Sequence, residues 1–320
     1  MNKKTKIWLI VAASLVLAGA LMFGGVMSVL NWNFKRLSGV KYETKEYTLD
    51  GEYSDISVKT DSADIAFFPS SDEKTHVFCS ESEKEKYSVT VENGVLTICK
   101  NDNRKWYDYI QIVSPVQKIE VHIPSASYGT LSVSESTGDI TIPSDFKFGN
   151  IEVKVSTGDV SVCASVSGKV KITTSTGDIT MNGMSVGELD VSLTTGKFAL
   201  TGVECQGNVS VRVTTGKSYL TDLNCKNLTT SGGTGDITLN NVICEGKMEI
   251  ERSTGDVKFE KCDASEMDIE TDTGDVIGSL NSNKIFSAKT DTGKIDLPKS
   301  ISGGICEIET DTGNIKITIG

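Results

Sequence analysis

Outside one N-terminal segment, apolar and polar residues alternate in short runs along this 320-residue chain. Leu131 and Val133 are followed by Ile140 and Ile142, Ile151 and Val153 by Val160 and Val162, Val170 and Ile172 by Ile179 and Met181. A step of two is the period of a half-buried strand, with the intervening Glu, Lys, Asp, Ser and Thr turned to water. Between the two arms of each unit stands Thr-Gly followed by Asp, Lys or Asn. Its glycine falls at 138, 158, 177, 196, 216, 235, 255, 274, 293 and 313, so successive gaps are 19 or 20 residues. Ten copies at that spacing mark a repeat architecture. Each unit reads as strand, Thr-Gly-Asp turn, strand, and a longer polar return.

A unit of about 20 residues with two short strands cannot bury its apolar face alone, whereas stacked units can. The pattern therefore predicts an all-β fold, a parallel β-solenoid whose like residues stack at about 4.8 Å. A flat antiparallel meander is the alternative; it explains the alternation but not the near-constant period. The glycine suits a turn that needs positive φ, the threonine before it can bond the turn or its stacked neighbour, and the Asp after it can accept amides. Three parts follow: residues 1–36, a tail with a membrane segment; residues 37–130, an N-terminal β cap; and residues 131–320, the ten-coil solenoid. In the cap, Ser62-Ala63-Asp64-Ile65 reads as a degenerate coil with Ala63 at the glycine position, and residues 87–99 read as a hairpin across Asn93-Gly94. With nothing after Gly320 to cover it, the final strand around Ile317 is expected to be an open edge able to self-associate or to capture a partner strand.

The exception to the alternation lies between Ile7 and Leu30, twenty-four residues without a charge. That length is enough to cross a hydrocarbon core of about 30 Å. Lys3, Lys4 and Lys6 precede it and Lys35 and Arg36 follow, which favours a cytoplasmic N-terminus and an exported body. A cleaved signal peptide is the rival reading, since Ala18-Gly19-Ala20 resembles a cleavage site; the apolar run continues ten residues beyond it.

Charge narrows the partners. Residues 1–36 hold five of the 32 basic residues and no acid, leaving 27 bases against 43 acids in the remainder. A body that acidic is repelled by phosphate backbones, so nucleic acid is not an expected partner. Only His76 and His122 occur, which disfavours His-dependent triads and multi-His metal sites.

Four constellations remain. Cys205, Cys225 and Cys244 each lie nine residues after a turn glycine and should stack; the eight cysteines are buried thiols or, on the exported side, include disulfides. The residue after the glycine forms a ladder with Asp139, Asp159 and Asp178 at its start, read as turn capping or as a Ca²⁺ site; lysines at 197 and 217 interrupt it, and no metal is expected. Acids are spread along the rod with no distinguished pair, which argues against a glycosidase and for the absence of catalysis and of cofactors. Trp106, Tyr107 and Tyr109 cluster in a polar loop, either packing over the cap or contacting a partner.

Ser-Ala-Asp-Ile at 62–65, the hairpin carrying Asn93-Gly94-Val95-Leu96, Ile-Pro at 123–124 and the repeated Ser-Thr-Gly-Asp-Ile/Val resemble a family of bacterial proteins known as the putative-adhesin family, a β-strand-repeat domain of unknown function. The resemblance covers most of residues 40–320 and implies a cell-surface role without supplying catalytic residues. The expectation is a non-catalytic, single-pass membrane protein with an extracytoplasmic body that binds or senses an envelope component, anchored in the bilayer by residues 7–30. The alternatives are a carbohydrate-active β-helix enzyme and a structural spacer.

Overall fold

The computed structural model describes residues 2–33, 41–105 and 116–320. A single α-helix, Lys3–Val29, holds the apolar N-terminal segment; its mean hydropathy reaches 2.3 over 18 residues, and no part of that window is buried inside the protein. Everything else described is strand and turn.

The predicted columns are the observed ones. Leu131 lies opposite Ile151, Ile151 opposite Val170 and Val170 opposite Leu189, all in parallel register. The second arms pair likewise, Ile140 with Val160 and Val160 with Ile179. Parallel pairing of successive coils excludes the meander. The stacked apolar side chains form one continuous core along the rod.

The turn glycines obey two constraints at once. From Gly138 to Gly274 the eight turn glycines have φ between +126° and +156°, a region L side chains rarely adopt. A Cβ on Gly235 would also stand 2.0 Å from the carbonyl oxygen of Gly216 in the coil beneath, and the other turns repeat that contact. Stacking at the strand spacing brings each turn onto its neighbour's carbonyl, so close approach demands glycine even where φ is less unusual, as at Gly293 and Gly313. Ala63 does occupy the equivalent position: a Cβ on Gly138 would meet its carbonyl at 2.0 Å. On its far side the two arms, Val95–Asp102 and Lys118–Ile123, are separated in sequence by far more than the two residues of a Thr-Gly turn.

The return segment is not simply polar. Gly183, Gly202, Asp222, Asn241 and Lys261, each six residues after a turn glycine, have φ between +51° and +63°. This second corner bends the chain, and the residues beyond it point inward again: Met184 and Val186, Val203 and Cys205, Leu223 and Cys225 are buried. Most coils therefore have three inward-facing arms. Asn, Asp and Gly tolerate a left-handed backbone, which is why the corner has a mixed composition that conceals its period.

At both ends the stacking order departs from the sequence order. The first coil, strands Asp55–Lys59 and Asp64–Pro69, stacks on Ser127–Thr137 and Ile140–Ile142, while Val95–Asp102 and Lys118–Ile123 cover its other side. Antiparallel strands finish that end. Glu85–Glu92 pairs with Val95–Asp102 across Asn93 and Gly94, both at positive φ, and Thr75–Glu81 joins Lys118–Ile123 to Glu43–Leu49.

At the other end, strand Gly304–Thr312 lies between Glu266–Thr273 and Lys284–Thr292, and Ile315–Ile319 lies between Val276–Leu280 and Ile295–Asp296. The final coil is inserted beneath its predecessor. Gly303 and Gly304 make this insertion sterically possible: a Cβ on the first would stand 1.8 Å from the Asn283 carbonyl, and on the second 1.8 Å from that of Ser265. The expected open edge at Ile317 is thus corrected, since that side chain is only 3% exposed. The outermost coil is residues 284–297. It is blunted by a two-residue second strand, by Pro298 and by the outward Lys289.

Candidate functional site

The ladder that follows the turn glycines is a hydrogen-bonded staircase. Asp139 Oδ1 accepts the amide of Asp159 at 2.8 Å, Asp159 Oδ1 that of Asp178 at 2.7 Å, and Asp178 Oδ1 that of Lys197 at 2.8 Å. Each carboxylate caps the next coil's turn rather than its own. Lysines at 197 and 217 break the series and pair with the ladder carboxylates on either side of them, Lys197 with Asp178 at 3.6 Å and Lys217 with Asp236 at 2.9 Å. Hydrogen bonding to Lys217 is the main cause that lowers the Asp236 pKa. A shallow groove runs beside the first steps, lined by Asp139, Asp159, Asp178, Thr141, Ser161 and Thr180. Among the described residues no group of three His, Cys, Asp or Glu side chains is arranged to hold a metal ion.

A buried polar cluster joins the cap to the first coil. Lys100 Nζ lies 2.8 Å from Glu85 and 2.7 Å from Asp61, and Arg104 reaches Glu85 at 3.1 Å and Asp102 at 2.5 Å. Tyr42 donates to Glu85, and Gln117 Nε2 donates to its other oxygen at 2.9 Å. Burial of Glu85 opposes ionisation, but hydrogen bonds from Lys100, Tyr42 and Gln117 outweigh it and lower the pKa. Glu135, one coil further in, is in the opposite situation. Oε1 accepts the amides of Ala63 at 3.1 Å and Thr137 at 3.3 Å, yet burial dominates and pushes its pKa up to about 7. Arg104 and Gln117 flank, in sequence, the segment with Trp106, Tyr107 and Tyr109, which lie outside the described residues.

A third feature was not legible as a site. On the outward face of the last coils Glu251 stacks on Glu270 and Glu270 on Glu309, with Asp268 and Asp272 on the same strand as Glu270. Like charges opposite one another on neighbouring strands destabilise a sheet. Partial burial first, then the surrounding carboxylates, raise the Glu270 pKa. Lys289 ends the column by pairing with Glu309. Each coil looks like an ordinary strand with a polar face; only the stacking register, including the inserted coil, gathers the charges.

Inside the rod, Arg252 is only 2% exposed. Nη1 donates to the carbonyl of Val213 at 2.8 Å and Nη2 to Ser218 Oγ at 3.0 Å, both two coils away. The intervening coil has Gly232 at the corresponding position, where a Cβ would lie 2.0 Å from Nη1. Burial lowers the Arg252 pKa. All eight cysteines are free thiols in this structure.

The match that decides the family spans nearly the whole rod: the model of Toastrack DUF4097 fits residues 53–217 and, again, 204–320. The chain belongs to the Toastrack DUF4097 family. Solved structures similar to this Toastrack chain include a protein of Parabacteroides distasonis described as a "putative lipid binding protein", 18% identical over 75% of this chain and 95% of its own, with a TM-score of 0.44. A "putative adhesin" of Bacteroides fragilis is 14% identical over 88% of this chain and 97% of its own (TM-score 0.41). Another of Parabacteroides merdae is 14% identical over 75% and 94% (TM-score 0.40). Among curated proteins none matches significantly.

Proposed function

We propose that this Toastrack protein is a non-catalytic, single-pass surface protein. In this reading its helix anchors it in the bilayer, its N-terminus is cytoplasmic, and its rod binds or senses a component of the cell envelope. The observation that carries the reading is the solid interior of the rod. Apolar columns from both strand arms and from the return arms fill it, so contact with another molecule falls to the outer faces. The apolar helix supplies the length for an anchor, and the solved neighbours called adhesins agree with a surface role. The carboxylate column around Glu270 is an outer face whose stacked like charges oppose folding, and it suits a cationic envelope component.

Two measurements test this. Protease added to intact cells should digest the rod and spare the cytoplasmic tail; a rod cut only after lysis rejects the orientation. Full-length protein in nanodiscs should retain an envelope component that a Glu270→Lys variant of equal stability releases. Depolymerisation of cell-wall glycan by the purified protein would instead support the carbohydrate-active alternative.

A further inference from the structure

We propose that Cys225 and Cys244 are a disulfide pair that closes between adjacent coils when the protein folds in the presence of a disulfide oxidant. The two residues are direct partners in the parallel register of Ser218–Cys225 and Ile237–Cys244. Their sulfurs stand 3.4 Å apart, and both side chains are buried. Strands at the ordinary sheet spacing of about 4.8 Å place Cα atoms within the span that a disulfide bridges. Sulfur–sulfur contact therefore needs only side-chain adjustment and no movement of the backbone.

Three of the other thiols make contacts of their own. Cys205 occupies the same column, yet its sulfur faces the carbonyls of Gly187 and Asn208, each at 3.7 Å. Cys262 donates to the Glu260 carbonyl at 3.4 Å, and Cys99 to that of Lys100 at 3.8 Å. Sequence spacing alone leaves Cys205, Cys225 and Cys244 equivalent; the structure selects one pair among them.

The bond would join two coils whose apolar columns are interrupted. The coils it joins, residues 208–225 and 227–244, are those across which Arg252 threads its charged group, through the gap at Gly232 and onto Ser218. In its column Ser218 stands between the larger apolar side chains of Phe198 and Ile237. A covalent link between these coils supplements the burial that Ser218 and Gly232 do not provide.

The chemistry is thiol–disulfide exchange. One thiolate attacks the oxidant's S–S bond, forming a mixed disulfide and releasing one thiol. The second cysteine then attacks the protein sulfur of that mixed disulfide, forming the Cys225–Cys244 bond and releasing the second thiol. Two electrons and two protons pass from the pair to the oxidant. The contact with Cys225 and burial both raise the Cys244 pKa in the closed rod, so the exchange belongs to the period before these coils pack.

The test is cell-free synthesis of the full chain into liposomes in a buffer of oxidised and reduced glutathione. Alkylation in denaturant and peptide mapping follow. The expected result is that six of the eight cysteines label before reduction and all eight after it, with a mapped link between positions 225 and 244. Cys205→Ser should leave that link intact, and Cys244→Ser should make all seven remaining thiols reactive without reductant. Eight labelled cysteines in the unreduced wild-type chain, or a link that joins any other pair, overturns the proposal.

Discussion

Arg252 donates to the carbonyl of Val213 across an entire intervening coil, 2.8 Å from nitrogen to oxygen, with Gly232 making way. A charged group in that position has exchanged water for two neutral acceptors, which is unfavourable unless packing compensates.

The shape of the Arg252 side chain should therefore matter more than its charge. We predict that Arg252→Met changes unfolding free energy by no more than about 1 kcal/mol in either direction. Arg252→Ala, which opens a cavity, should lose about 3 kcal/mol. Urea unfolding of both variants checks the order, and equal losses would show that the charge itself is stabilising.

At the turns the order is set by steric contact. Gly235→Ala should cost about 3 kcal/mol or more, because its methyl group meets the Gly216 carbonyl and its φ is +126°. Asp236→Ala loses the acceptor for the Asp256 amide at 3.2 Å and the exposed pair with Lys217, about 1 kcal/mol in total. Similar melting shifts for the two would contradict the close stacking of the turns.

Glu135 makes stability depend on pH. Its pKa is raised from an unfolded value of 4.5 to about 7, so the native state holds the proton more tightly. The stabilisation is full below about pH 4.5 and is lost as pH rises to about 7, by on the order of 2–3 kcal/mol. Glu135→Gln keeps an acceptor for Ala63 and Thr137 and cannot ionise. It should match the wild type near pH 5 and exceed it at pH 8. His76, whose pKa is raised by hydrogen bonds to Asp72 and Glu46, also contributes stability that is lost as pH rises. The difference between variant and wild-type curves isolates Glu135. A flat difference curve would place its carboxylate in water.

The C-terminal order predicts opposite responses from two isoleucines. Ile317→Lys puts a charge beneath the outer coil and should destabilise by about 3 kcal/mol. Ile285→Lys, on the outermost strand and 47% exposed, should stay within about 0.5 kcal/mol of wild type. Thermal melts of both would reveal which coil is outermost; the reverse ranking restores the final strand as the edge.

The alternation, the turn spacing and the stacking columns were legible because they repeat. So was Ala63, whose flanking residues keep the pattern although the glycine is missing. The second corner was harder to see: Gly183, Asp222, Asn241 and Lys261 share a backbone conformation and little else. The insertion of the last coil leaves the repeat period untouched, and its one local sign is the pair Gly303-Gly304, indistinguishable in sequence from a flexible turn. Sites built from stacking suffer most. Glu270 acquires its stacked carboxylates Glu251 and Glu309, and Arg252 its acceptors, from residues 19 to 39 positions away.

The exchanged coil order changes how such a rod can come apart. A linear stack ordinarily loosens from its terminal unit, since that unit has one neighbour and one dangling connection. Here residues 284–297 are outermost, yet the segments on both sides of them in sequence, 266–280 and 304–319, lie deeper in the stack. That outer coil is no loose thread. Peeling it away requires slack from segments still locked inside, so unravelling at this end must recruit at least one inner coil, and assembly there runs against the order in which the chain is read.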